Sequence, residues 1–187
     1  NALSFVDFSD YQFPFEEERL DLPENWRVED LASIGNVLVG CERSGNQLLV
    51  IDATPLSRRV LGTCAAVGNE VFERVFALPG DDDSVAVVVE ENGARRLQVR
   101  SLSDSSLPLE RTIGLPVGFK HVGFYGDAVV STGTTGIEVV ERQLGTPVLS
   151  IAGDYDFALL RTGLLFAGTD SAIDIWDVTG PGSPVLR

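Results

Sequence analysis

A single histidine, His121, and two cysteines, Cys41 and Cys64, bound the chemistry this chain can do. One histidine excludes multi-histidine metal sites and leaves one candidate base for a Ser-His-Asp or Cys-His arrangement. No serine or cysteine near it occupies a recognisable nucleophile turn, so His121 reads as a structural or solvated side chain. The carboxylates Glu29, Asp30, Glu73 and Asp156 are the other candidates: together they would hold a metal or do acid–base work in a hydrolase or lyase. Asp81, Asp82 and Asp83 are consecutive, without the alternate spacing and following glycine of a calcium loop, and read as a solvated acidic loop. No catalytic residue, metal ligand or cofactor is therefore assigned. Two cysteines are too few for a disulfide framework, and the strand register developed below places them two strands apart and offset, beyond bonding reach.

Composition narrows the partners. The chain has 187 residues, 28 acidic against 14 basic, for a net charge of −14. That charge repels phosphate backbones and anionic lipid surfaces, which argues against nucleic acid and membrane binding. The longest apolar runs, such as Val85 to Val89, fall far below the ~20 residues that span a bilayer. A 44% hydrophobic content with 19 glycines and 9 prolines describes a folded, turn-rich β protein.

The elements that must position these side chains recur. A strand-like word appears five times, as Leu3-Ser-Phe-Val-Asp7, Leu48-Leu-Val-Ile-Asp52, Leu97-Gln-Val-Arg-Ser101, Ile137-Glu-Val-Val-Glu141 and Ile173-Asp-Ile-Trp-Asp177. Their first residues lie 45, 49, 40 and 36 positions apart, a period that suits one four-stranded blade of a radial all-β array. The fold class is thus all-β, a β-propeller of four-stranded antiparallel blades present as a partial ring of about 4–5 blades.

Flanking residues expand each word, the third or C strand, into strands A to D. The second copy reads Val28 to Ser33, Val37 to Glu42, Gln47 to Ala53 and Arg59 to Cys64. The third reads Phe72 to Leu78, Val85 to Glu90, Arg96 to Ser101 and Leu109 to Ile113, with residues 79–84 as an inserted loop. The fourth reads Phe119 to Tyr125, Ala128 to Thr132, Gly136 to Glu141 and Pro147 to Ile151. The B strands are continuous apolar runs, as expected where neighbouring blades cover both faces. Blade boundaries fall at 1–22, 23–66, 67–114, 115–152 and 153–187. The first unit holds only strands C and D, the latter around Phe13 to Arg19, and the last has its D strand just beginning at Pro184. With Asn1 first and no methionine, the chain is expected to be a piece of a longer polypeptide. The ring would be completed by the rest of that polypeptide, by another chain or by a second copy.

The words ending Asp52-Ala-Thr-Pro55 and Asp177-Val-Thr-Gly-Pro181, with Leu3 to Asp10 beside them, resemble the LVIVD repeat of bacterial and archaeal β-propeller proteins. In that pattern an apolar strand ends in Asp, and the Asp or a following Ser or Thr bonds nearby amides to fix the C-to-D reversal. The third copy departs from it with Ser101 and the fourth with Glu141. The resemblance implies an extracellular, cell-surface or periplasmic protein, and it implies no chemistry, because the signature residues build blades.

A propeller gathers its D-to-A and B-to-C loops on one face, where ligands bind. The candidate binding residues there are Trp26, Arg43, Asn46, Lys120, Thr134 and Asp154. Trp176 reads as a buried blade anchor, and Glu16-Glu17-Glu18 as charge that keeps an outer strand edge from pairing. The expected function is a non-enzymatic interaction module that binds a protein or glycan partner through this face, within a larger secreted or cell-surface protein. The alternative is the propeller enzyme with channel carboxylates and a bound metal.

Overall fold

Short β-favouring runs punctuated by Gly, Asn, Asp and Pro pair with their immediate successors, because adjacent strands joined by tight turns close the smallest loops. The computed structural model describes residues 2–7, 15–24, 26–42, 44, 46–179 and 184–187, the side chains of residues 7 and 15 excepted. A first, two-stranded sheet joins β1 (Ala2–Asp7) to β2 (Phe15–Asp21). The second contains β3 (Val28–Ile34), β4 (Val37–Glu42), β5 (Gln47–Asp52) and β6 (Arg59–Ala65). The third contains β7 (Glu70–Leu78), β8 (Asp81–Glu91), β9 (Ala94–Ser101) and β10 (Leu109–Gly114). The fourth contains β11 (His121–Tyr125), β12 (Ala128–Gly133), β13 (Gly136–Glu141) and β14 (Pro147–Ala152). The fifth contains β15 (Phe157–Arg161), β16 (Leu164–Gly168), β17 (Ile173–Asp177) and β18 (Val185–Leu186). Every four-stranded sheet is an antiparallel meander in chain order, and no sheet closes on itself among the described residues.

Alternation along each strand sends successive side chains to opposite neighbours. In β8, Val85, Val87 and Val89 enter a core shared with the second sheet, while Ala86 and Val88 enter one shared with the fourth. In β12, Val129 faces the third sheet and Val130 the fifth. This is why the B strands read as unbroken apolar runs. The C-strand word follows the same rule. Its first and third residues face the next sheet (Leu97, Val99; Ile137, Val139), and its second and fourth face the previous one (Gln98, Arg100; Trp176).

The repeated Asp closes its turn as expected. Asp52 Oδ1 accepts the Thr54 amide at 3.0 Å, and Asp177 Oδ1 accepts the Thr179 amide at 3.0 Å and its hydroxyl at 2.6 Å. The Thr179 hydroxyl first, then its amide and Arg187, hold the Asp177 pKa down to about 2. Ser101, a departure in sequence, plays the same part, and its Oγ accepts the Ser103 amide at 3.1 Å. Glu141 does not. There the turn is closed by backbone alone, Glu141 N–H to Thr146 O at 2.9 Å and Gly145 N–H to Glu141 O at 2.8 Å.

Several expectations are corrected. Residues 81–84 are strand and not loop: Leu78 pairs with Asp81 around a Pro79-Gly80 turn in which Gly80 has φ 71°, and the Leu102 amide donates to Asp83 O at 2.7 Å. A register shift between Ala77 and Leu78 absorbs the extra residues, so the hairpin lengthens where a loop was expected. Cys41 and Cys64 are not offset, since both pair with Leu48 from its two sides. At ~4.8 Å per strand their Cα atoms are roughly 10 Å apart, and both thiols are free and buried. Residues 13 and 14 of the expected D strand lie outside the described residues.

The Glu16–Glu18 run, expected to protect an edge, ties sheets together. Arg58, on the loop between β5 and β6, donates to Glu18 at 2.6 Å and Glu17 at 2.7 Å and lies 4.4 Å from the Phe5 ring centroid. Glu16 accepts the Ser4 hydroxyl at 2.7 Å. The Arg58 pair and stack dock the first sheet on the second. Arg58→Ala is expected to raise amide exchange rates in β1 and β2 at least tenfold while leaving β8 and β12 unchanged, read by hydrogen exchange.

Candidate functional site

The starts of the A strands and the loops beside them form a polar depression of about 380 Å³. It is lined by Glu29, Glu42, Glu73, Arg74, Arg95 and Lys120, with Cys41 and Phe72 among its walls. An irregularity in β7 places Glu73 here: Phe72 pairs with Val89 and Arg74 with Val88, so Glu73 is the extra residue of the ladder and turns to the depression while Phe72 reaches into the core. Arg95 grips Glu73 through two parallel bonds, Nε to Oε2 at 2.7 Å and Nη2 to Oε1 at 2.8 Å. Lys120 Nζ donates to Asp154 Oδ1 at 2.6 Å and to Asp156 Oδ1 at 2.7 Å, stitching the approach to β11 to the loop before β15. Those two hydrogen bonds raise the lysine pKa and keep it charged, and the Lys120 bond lowers that of Asp156.

Cys41 is fully buried at this depression and donates its S–H to the Phe72 carbonyl at 3.0 Å. Burial, followed by the nearby charges of Asp30, Glu29, Glu42 and Glu73, pushes its pKa up to about 12, so the thiolate that a nucleophile needs is suppressed. His121 is half-buried and its Nδ1 has no hydrogen-bond partner among the described residues. Burial, and then Arg74, holds its pKa below the ordinary value and favours neutral imidazole.

The four channel carboxylates separate. Asp30 accepts two backbone amides, Leu31 at 3.0 Å and Val75 at 2.9 Å, the second of which joins β3 to β7. Glu73 belongs to Arg95 and Asp156 to Lys120, and only Glu29 and Glu73 line the depression together. Among the described residues no group of three or more His, Cys, Asp or Glu is arranged to hold a metal.

Of the expected binding residues, Lys120, Thr134 and Asp154 come together. The Thr134 amide and hydroxyl both donate to Val117 O at 3.0 Å, in the loop leading to Lys120, and Tyr155 N–H donates to Gly133 O at 3.3 Å. Asn46 is exposed on the same kind of turn, where its carbonyl accepts the Ala66 amide at 2.8 Å. Trp26 sits elsewhere, half-buried in a groove of about 370 Å³ with Ala2, Leu3, Leu22, Arg27 and Val28, between the first and second sheets. Arg43 lies outside the described residues. Trp176 is half-buried against the core between the fourth and fifth sheets, and its Nε1 has no hydrogen-bond partner among the described residues.

Sequence reasoning missed a buried polar chain between the second and third sheets. Glu70 Oε1 accepts Gln98 Nε2 at 2.8 Å and Arg96 Nη2 at 2.5 Å, and Gln98 Oε1 accepts Arg100 Nε at 2.9 Å and Nη2 at 2.6 Å. Arg100 Nη1 then reaches Leu107 O at 3.0 Å and Cys64 Sγ at 3.4 Å. The signal was present: Gln98 and Arg100 share one face of a central strand, where buried polar groups must find partners.

No family model matches the chain, and no curated protein matches it in sequence. Solved structures match it in fold. A candidate 6-phosphogluconolactonase from Bacteroides fragilis aligns over 100% of this chain with TM-score 0.68 at 9% identity, the chain spanning 63% of that structure. AztD from Citrobacter koseri aligns over 90% with TM-score 0.63 at 13% identity, of which the chain spans 47%. The β-propeller domain of Myceliophteria thermophila Cps50 (Swd1) aligns over 90% with TM-score 0.58 at 13% identity, of which the chain spans 60%. The fold is that of a β-propeller. At these identities the likeness concerns architecture, and the chain spans about half to just under two thirds of the structures it matches.

Proposed function

We propose that this chain is a non-enzymatic propeller module, of the LVIVD-repeat kind, that docks a protein or glycan partner on the loop face around Lys120, Thr134 and Asp154. The observation that carries the reading is the use of charge at that face. Lys120 and Arg95 hold Asp154, Asp156 and Glu73 in loop-fixing pairs, which yields a polar surface of paired charge. The Asp-closed turns at Asp52 and Asp177 support the LVIVD likeness, and with it a place in a larger secreted, cell-surface or periplasmic protein.

A further blade covers the fifth sheet in this reading. Its outward face carries the row Phe157, Gly168, Ile173 and the row Leu159, Phe166, Ile175. Phe157, Leu159 and Ile173 are 42%, 43% and 63% exposed. The same face of the third and fourth sheets packs on the next sheet. The blade comes from the rest of a longer polypeptide, another chain or a second copy.

The test is a glycan array together with a display library of extracellular proteins, each hit measured again with Lys120→Ala and Trp26→Ala. Lys120→Ala is expected to weaken genuine hits at least tenfold while leaving amide exchange in β8 and β9 unchanged, and Trp26→Ala, in a separate groove, to leave the hits unchanged. Hits indifferent to Lys120→Ala overturn the assignment of the face.

A further inference from the structure

The fourth copy of the repeat breaks its own rule at Glu141. Where Asp52, Ser101 and Asp177 use the last side chain of the C strand to catch a turn amide, Glu141 leaves its turn to the backbone. Its half-buried carboxylate has no ion pair or hydrogen bond among the described residues. It lines a cleft between the fourth and fifth sheets instead.

That cleft has a volume of about 440 Å³, within the ~300–1,000 Å³ range of small-molecule sites. Ala128, Val139, Leu149, Leu160 and Val178 form its walls, all of them members or flanks of the core between these two sheets. Tyr125 closes one side, its hydroxyl anchored on Ala158 O at 3.2 Å. The core therefore stops short of filling the space between the sheets, and the gap keeps apolar walls. Apolar walls accept many hydrophobes, but the mouth selects by charge. Asp127 stands there with Glu141. Arg142, the next residue along the chain from Glu141, is buried, donates to Pro79 O at 3.0 Å and already reaches Asp127 at 3.7 Å. Glu141 is thus the open electrostatic position of the cleft.

We propose that this cleft binds a small organic cation, with an aromatic or aliphatic body between Val139, Leu149 and Leu160 and an ammonium group paired with Glu141. Desolvating a carboxylate against an apolar wall is unfavourable unless a cation meets it, so the site discriminates by sign of charge more than by shape. An anion of the same size meets the open Glu141 carboxylate and binds more weakly.

Methyl-resolved NMR titration tests this with two matched probes, 2-naphthylmethylammonium and 2-naphthoate. The cation is expected to shift the methyl signals of Ala128, Val139, Leu149 and Leu160 in a saturable way, and the anion to bind at least about tenfold more weakly. Glu141→Gln is expected to weaken the cation about tenfold and to abolish the preference. Val148→Trp, at an exposed lip position of the cleft, blocks entry and checks the site independently should Glu141→Gln fold poorly. Absence of saturable shifts with the cation overturns the proposal. So does a cation preference that survives Glu141→Gln, or binding indifferent to Val148→Trp.

Discussion

Phe72→Ala is expected to destabilise the protein by about 3–5 kcal/mol, the cost of emptying a large, fully packed aromatic site. Phe72 is 1% exposed and projects from β7 into the core between the second and third sheets, among Val39, Cys41, Leu48 and Val87. Its ring lies 5.4 Å beneath the Arg100 guanidinium, so the truncation also removes a face on which a buried cation rests. The neighbours are strand residues held by backbone ladders on both sides, which limits collapse into the cavity and places the cost at the upper end. Urea denaturation reads the effect as a lower midpoint with an unchanged slope. Phe72→Leu, which keeps most of the volume, should lose less than half as much. A loss below about 1 kcal/mol for the alanine variant would mean that the two sheets are not held together at this point.

The second large effect is expected at Glu70. Glu70→Gln should cost roughly 2–4 kcal/mol, because it removes the buried carboxylate of the polar chain, leaves Gln98 and the Val67 amide with a poorer acceptor and leaves Arg96 only its second partner, Glu91, as a carboxylate. Burial works to raise the Glu70 pKa, but the bonds from Arg96, Val67 and Gln98 outweigh it, and the folded value is lowered from 4.5. A carboxylate with a lowered folded pKa contributes stability that is complete above its unfolded value. That contribution is lost as the pH falls below 4.5 and through the folded value. Wild type should therefore lose stability in acid more steeply than Glu70→Gln, and the two curves should converge below the folded pKa. Denaturant midpoints measured from about pH 7 down to about pH 3 check this, and parallel curves would show that Glu70 is not the group linked to folding.

Much of the architecture was legible because it is local. Each meander pairs strands that follow one another in the chain, and a word recurring every 36 to 49 residues marks the same strand of successive blades. The Asp turns were legible for the same reason, since Asp52 and Thr54 are two residues apart and need nothing else to meet. Even the unbroken apolar character of Val85 to Val89 announced cover on both faces, as the two flanking cores show.

The pairings that shape possible sites were not legible, because they join residues whose distance along the chain carries no signal. Arg58 meets Glu17 and Glu18 across 41 and 40 residues, and its role turned an apparent edge-protecting charge run into a link between sheets. Lys120 meets Asp154 and Asp156 only because the fourth and fifth sheets pack side by side, whereas Trp26, expected on the same face, opens onto another groove. Composition and periodicity by themselves determined an all-β array of repeated blades, since hydrophobic alternation and tight turns act over a few residues. Only the tertiary structure decided which charges neutralise one another and which, like Glu141, are left facing a cleft. Electrostatic and packing energies depend on distance in space, and that distance exists only once the sheets are stacked.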